Sequence, residues 1–212
     1  MSELYHLKRL NEDQIEEASG VLARAFQDDP LFAYLYPDPI ERKIRSVTYC
    51  EFVILNGIFY LDVYITSNDI EGIALWRAYN IKDQKIEIQS KEIKRRMRKV
   101  KRESFSDRLF NERYGVFTEV TSFFENKHAN FPHWELFIIG VDPIHQGKGY
   151  ASKLLRMKLA EIDKQNLPCY LHTENERNIK LYEHFGFEIV DHASIPNSEL
   201  KAWAMIRKKK VV

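Results

Sequence analysis

With 212 residues, 44% of them hydrophobic, the chain can bury roughly 70% of its unfolded surface, which suits one compact domain. Its 32 basic and 31 acidic residues leave a net charge of +1, excluding an overall field that would draw in nucleic acid or an anionic membrane. No apolar run approaches the ~20 residues that cross a bilayer.

The first residues, Met1-Ser2-Glu3-Leu4-Tyr5-His6, lack the apolar region of a secretory signal, and Cys50 and Cys169 match no metal spacing. The expectation is a cytoplasmic protein with two reduced thiols, no metal, and no nucleic-acid or membrane partner. Tyr5 to Leu10 alternates like a first strand, and Asn11 can cap a helix running through Ile15, Ala18, Val21, Leu22 and Phe26. Gln27-Asp28-Asp29-Pro30 ends that helix. The aromatics from Phe26 to Tyr36, with Asp28, Asp29 and Asp38, suit an amine with an apolar body; they suit equally a core-packing turn whose aspartates cap helices.

A second helix is predicted from Pro39 to about Phe59, with proline tolerated in its first turn, and then an antiparallel pair of strands, Val63 to Thr66 and Ile73 to Trp76. Residues 81–131 are too long for a hairpin connection and too charged for core. Ile93, Met97 and Val100, and again Phe105, Leu109 and Phe110, have helical spacing, so this stretch reads as a helical insertion within a single domain, 1–212. Its basic run, Lys91 to Arg102, reads first as a solvated helix face and second as a patch for nucleic acid or an acidic partner.

The most informative stretch lies after this insertion. Leu136-Phe137-Ile138-Ile139-Gly140-Val141 reads as a strand, Asp142-Pro143 as a turn, and Leu154, Leu155, Leu159 and Ile162 as one face of a helix. Between them lies Gln146-Gly147-Lys148-Gly149-Tyr150-Ala151-Ser152. Glycines at a helix N-terminus let an anion approach amides that have no intrahelical partner. Neither the G-x-x-x-x-G-K-S/T loop nor the G-x-G-x-x-G fingerprint is present, because Ser152 stands where a third glycine would.

The pattern that does fit is Q/R-x-x-G-x-G/A, filled by Gln146, Gly149 and Ala151. Downstream, after the strand Leu167 to His172, the chain reads N-x-x-x-Y-x-x-x-G-F through Asn178, Tyr182, Gly186 and Phe187. In these two motifs and their order the chain resembles the GNAT superfamily of N-acetyltransferases, over residues 133–210, ending in the strand Ala202 to Ile206. The resemblance implies an α/β (α+β) GNAT fold: a mixed, mostly antiparallel sheet of about seven strands flanked by helices, with the helical insertion before the cofactor-binding strand.

It also implies an enzyme that moves an acetyl group directly from acetyl-CoA to a primary amine, on a small molecule or a peptide, acting as a monomer or homodimer. By resemblance, the loop from Gln146 through Gly147, Lys148, Gly149, Tyr150, Ala151 and Ser152 holds the pyrophosphate, and Asn178 the pantetheine arm. Ile139, Gly140 and Val141 carry a bulge that frees strand amides for the pantetheine and thioester. Glu135 stands where histone-acetylating members place a general base. His133 lies nominally on the same strand face, as a relay or substitute, and Tyr182 stands where many members keep the acid for the thiolate. The rival within the same fold is a non-catalytic sensor of acyl-CoA.

Overall fold

In the computed structural model, which describes residues 7–81 and 91–209, one sheet runs through the molecule in the order β1-β2-β3-β4-β5-β7-β6. Its strands are β1 (Lys8–Arg9), β2 (Asp62–Ile65), β3 (Gly72–Tyr79), β4 (His133–Val141), β5 (Cys169–Thr173), β6 (Glu188–Ser194) and β7 (Lys201–Arg207). All neighbours are antiparallel except β4 and β5. The expected mixed sheet is thus present. The predicted first strand is shorter than its pattern, and its Tyr5 and His6 lie outside the described residues.

Helices cover both faces. They are α1 (Ile15–Ala25), α2 (Pro30–Leu35), α3 (Pro39–Tyr60), α4 (Lys91–Ser104), α5 (Arg108–His128), α6 (Tyr150–Lys164) and α7 (Ile179–His184). Alternation along β3 sorts the layers. Ile73 and Leu75 join Leu22 of α1 and Ile54 of α3 in one core, while Ala74 and Trp76 join Leu155 of α6 and Tyr182 of α7 in the other. Each of the fully buried leucine and isoleucine side chains contributes ~1.5–3 kcal/mol. No helix among the described residues is long and apolar enough to cross a membrane.

The helices begin where their side chains cap them. Asp38 accepts from the backbone N–H groups of Ile40 and Glu41 at 2.9 and 2.8 Å, ahead of Pro39. The segment 26–38, read from sequence as a turn, instead contains α2, opened by Asp29, which accepts from Leu31 N at 3.0 Å. Of the two prolines that looked like turn formers, Pro30 occupies the first position of α2, where a missing N–H costs nothing, and Pro37 precedes the Asp38 cap of α3. Between β3 and β4 stand α4 and α5. The basic run lies on α4, which buries Ile93 and Val100 and leaves Lys91, Lys94, Arg95 and Arg98 exposed or half-exposed.

Two details of β4 bear on the cavities beside it. The pairing with β3 slips between Leu75, opposite Ile138, and Trp76, opposite Leu136, so the extra residue is Phe137. The bulge expected at Gly140 therefore sits earlier in the strand. Gly140 serves packing: a Cβ there would come within 2.8 Å of Leu22 Cδ2 and 3.2 Å of Ala25 Cβ, so the missing side chain lets α1 lie close on the sheet.

Candidate active site

The parallel register of β4 and β5 pairs Trp134 with Cys169 and Glu135 with Tyr170, and beyond these residues the strands diverge. Two cavities open along the divergence. One, of about 470 Å³, is lined by Ile139, Gly140, Val141, Gln146 and Ala151 together with Arg24 and Arg177. The other, of about 260 Å³, reaches Glu135, Arg77, Glu125, His172 and Glu174. Phe26, Asp29, Ile139, Asn178 and Tyr182 line both, so the two adjoin along a shared wall and together make one passage in outline, with Tyr182 at the junction.

The loop between β4 and α6 is built for close approach. Asp142 is buried, accepts from Ile144 N at 3.2 Å, and is held by Arg24 Nε and Nη2 at 2.8 and 2.6 Å, which ties the loop's start to α1. Gly147 and Gly149 have φ of +75° and +84°, and the space where a Cβ would stand is open at both. Gly149 occupies the cap position of α6 without a side-chain cap, so the N-terminus of that helix has no capping side chain in the way of an anion. Lys148 folds back to donate to Ile144 O at 3.1 Å. Tyr150 hydrogen-bonds Glu71, while Ser152, in the first turn of α6, is half-buried. Uncapped amides, two left-handed glycines and nearby guanidiniums fit a pyrophosphate, and the divergent strands fit a long acyl-carrying arm.

The downstream motif has a physical reason at each position. Asn175, not Asn178, caps the turn before α7, accepting from Arg177 N at 3.2 Å, so the Asn178 side chain is left to line the passage. Gly186, at φ +85°, ends the helix with its N–H on Glu183 O, and Phe187 then packs edge-on to Tyr182, centroids 6.1 Å apart. Tyr182 is only 5% exposed. Burial, then Glu174 and Asp29, raise its pKa well above the ordinary phenol value, so it is held as an O–H donor.

Glu135 is 2% exposed and sits opposite Arg77 in the register of β3 and β4. Arg77 Nε lies 2.5 Å from Glu135 Oε2, as an ion pair without the alignment of a hydrogen bond, and Arg77 Nη2 donates to Glu125 Oε1 at 2.8 Å. Burial raises the pKa of Glu135 and Arg77 only partly offsets it, which moves this carboxylate toward neutrality. His172 Nδ1 lies 2.9 Å from Glu174 Oε1. Burial opposes its charged form, but Glu174, then Glu135 and Glu125, outweigh this and raise its pKa.

The structure thus gathers Glu135, Tyr182, Asn178 and, of the loop, Gln146 and Ala151 along the two cavities. It does not bring His133 there. That ring is 0% exposed, bonded through Nδ1 to Phe131 O at 2.7 Å, stacked on Tyr79 and edge-on to Tyr170, with its pKa lowered by burial. Sequence reading assigned no role to Arg77, Glu125, His172 and Glu174. The one local signal was the same-face spacing of His172 and Glu174 at the end of β5; the others meet only through strand register and the placing of α5.

Comparison with known proteins agrees with this geometry. A profile of the acetyltransferase (GNAT) domain matches residues 114–189. An uncharacterised N-acetyltransferase of Schizosaccharomyces pombe is 30% identical over 183 residues, 85% of this chain and 73% of the relative. Among solved structures, histone acetyltransferase HPA2 and related acetyltransferase from Corynebacterium glutamicum superposes with a TM-score of 0.63 at 18% identity, covering 97% of each chain. Arylalkylamine N-acetyltransferase 2 from Aedes aegypti superposes with 0.60 at 17%, covering 97% of this chain and 99% of its own. With its loop, its divergent strands and a relative matched along most of both sequences, the chain belongs to the GNAT family of N-acetyltransferases and is an acyltransferase.

Proposed function

We propose that the chain transfers the acetyl group of acetyl-CoA directly to a primary amine, with Glu135 as general base and Tyr182 as general acid. The observation that carries this reading is the single passage that has the glycine loop at one end, Tyr182 at its junction and Glu135 at the other. Residues Gln146–Ser152 hold the pyrophosphate, and Ile139, Gly140, Val141 and Asn178 flank the pantetheine. Bound acetyl-CoA supplies an activated thioester.

The chain supplies the proton transfers. Glu135 accepts a proton from the amine as its nitrogen bonds to the acetyl carbon, and Tyr182 donates its phenolic proton to the departing sulfur as the C–S bond breaks. Burial raises the pKa of the phenol, and the same burial raises that of a desolvated thiolate, so donor and acceptor stay matched. His172, paired with Glu174, counters the negative charge beside Glu135. His133 lies off the passage and takes no part.

Calorimetric titration with acetyl-CoA tests the reading. Wild type is expected to bind one equivalent with micromolar affinity. Gly149→Val, which forces a β-branched residue to positive φ and puts a side chain over the amides, is expected to bind ~10-fold more weakly or worse. A folded wild type that does not bind would overturn the assignment.

A further inference from the structure

The 260 Å³ cavity has two ends of opposite chemistry. Along one side runs an unbroken series of rings: Phe26 stacks on Phe32 with centroids 5.0 Å apart, Phe32 meets Tyr49 at 5.9 Å, Tyr49 meets Tyr114 at 6.1 Å, and Tyr114 meets Phe117 at 6.3 Å. Phe117 then meets His172 at 5.8 Å, and there the ring wall gives way to the acidic end. The cavity holds four carboxyl groups, Glu125, Glu135 and Glu174 toward that end and Asp29 at the junction beside Phe26, against two countercharges, Arg77 and His172. Asp29 receives only neutral donors, Leu31 N and Asn175 Nδ2, among the described bonds. Burial and then Glu174 lift its pKa to about 6, so the acids repel one another in want of a cation.

One wall of the cavity is a single helix. Tyr114, Phe117, Thr118, Thr121, Ser122 and Glu125 all come from α5. That helix is tied down along its length: Asp107 to Arg45 at 2.7 Å, Arg113 to Tyr34 O at 2.9 Å, Glu125 to Arg77, and Lys127 to Asp191 at 2.9 Å. An extended peptide needs an open trough beside the strands, and the α5 wall narrows that space.

From these observations we infer that the acceptor is a small primary amine joined by a short chain to one flat apolar ring, with the ammonium among the carboxylates and the ring along the Phe26 to Phe117 wall. This rests on the acetyl-transfer reading of the same passage. Rings attract the body of such a molecule and, at the junction, its cation. A polyamine would place a second ammonium against the rings at full desolvation cost, and a polypeptide would have to fit its backbone into a cavity of about 260 Å³ beside the α5 wall.

The test compares 2-phenylethylamine, spermidine, and peptides bearing a free N-terminus or a lysine, by acetyl-CoA-dependent product formation and by calorimetric binding to the enzyme saturated with coenzyme A. The ring-bearing amine is expected to exceed the others by ~10²-fold or more in kcat/KM. Two variants on the α5 lining, Thr118→Trp and the more exposed Ser122→Trp, are expected to raise the KM for 2-phenylethylamine ~10-fold while leaving acetyl-CoA affinity within ~2-fold. Preference for spermidine or a peptide would overturn the inference, as would failure of 2-phenylethylamine to bind an enzyme that binds coenzyme A. Failure to bind acetyl-CoA at all would strike the underlying reading instead.

Discussion

Tyr182→Phe is expected to lower turnover by ~10² to 10⁴-fold while leaving acetyl-CoA affinity nearly unchanged. The substitution removes one oxygen from a ring whose packing against Phe187 is preserved, so the motif geometry around Gly186 stays intact. What is lost is the proton for the leaving sulfur. Because burial, Glu174 and Asp29 keep the phenol protonated, wild type should retain this donor through the neutral range. A thiol ester with a more acidic leaving group needs less help, so the deficit of the variant should shrink with such a substrate. Steady-state kinetics beside a calorimetric titration separates the effects. Unchanged turnover would remove Tyr182 from the proton path, and a loss confined to affinity would make it a packing residue for the pantetheine.

Glu135→Gln is expected to cost a similar ~10² to 10⁴-fold in kcat, and its pH dependence carries the sign. A general base acts when deprotonated, so wild-type activity should fall as pH drops through the pKa of Glu135. Burial raises that value above the ordinary carboxylate range and Arg77 opposes it only in part, so the fall should begin nearer neutrality than an exposed glutamate would give. The glutamine variant should lack this acid limb. Arg77 still has Glu125 at 2.8 Å in the variant, so it is not left as an unpaired buried cation and the fold should hold. A melting temperature close to wild type would attribute the kinetic loss to chemistry. An acid limb identical to wild type would transfer the base to another group, with His172 and Asp29 among the titratable side chains on the same cavity.

Much of the scaffold could be read from local pattern. The apolar runs of β2 and β3, the apolar face of α6, the proline that opens α3 and the glycines at Gly147, Gly149 and Gly186 each reflect a constraint acting over a few residues. What escaped reading depends on distant partners. α2 was hidden between two prolines that serve equally in turns and first helical turns. The bulge at Phe137 arises from how β3 and β4 come into register, and Gly140 attracted that role although its missing Cβ answers to Leu22 and Ala25 of α1. Alternation placed His133 beside Glu135, but Tyr79, Phe131 and Tyr170 enclose its ring. Arg77 and Glu125 meet the site from β3 and α5, and no spacing in the chain could announce that.

The most direct measurement is the stoichiometry of the reaction itself: purified protein with acetyl-CoA and a panel of primary amines, with free coenzyme A thiol and N-acetylated product quantified together by mass spectrometry. Thiol and acetylated amine appearing one for one, both slowed ~10² to 10⁴-fold in Tyr182→Phe, is the expected result. Acetyl-CoA bound tightly yet neither thiol nor acetylated amine formed with any acceptor class would contradict an acetyltransferase working through this passage.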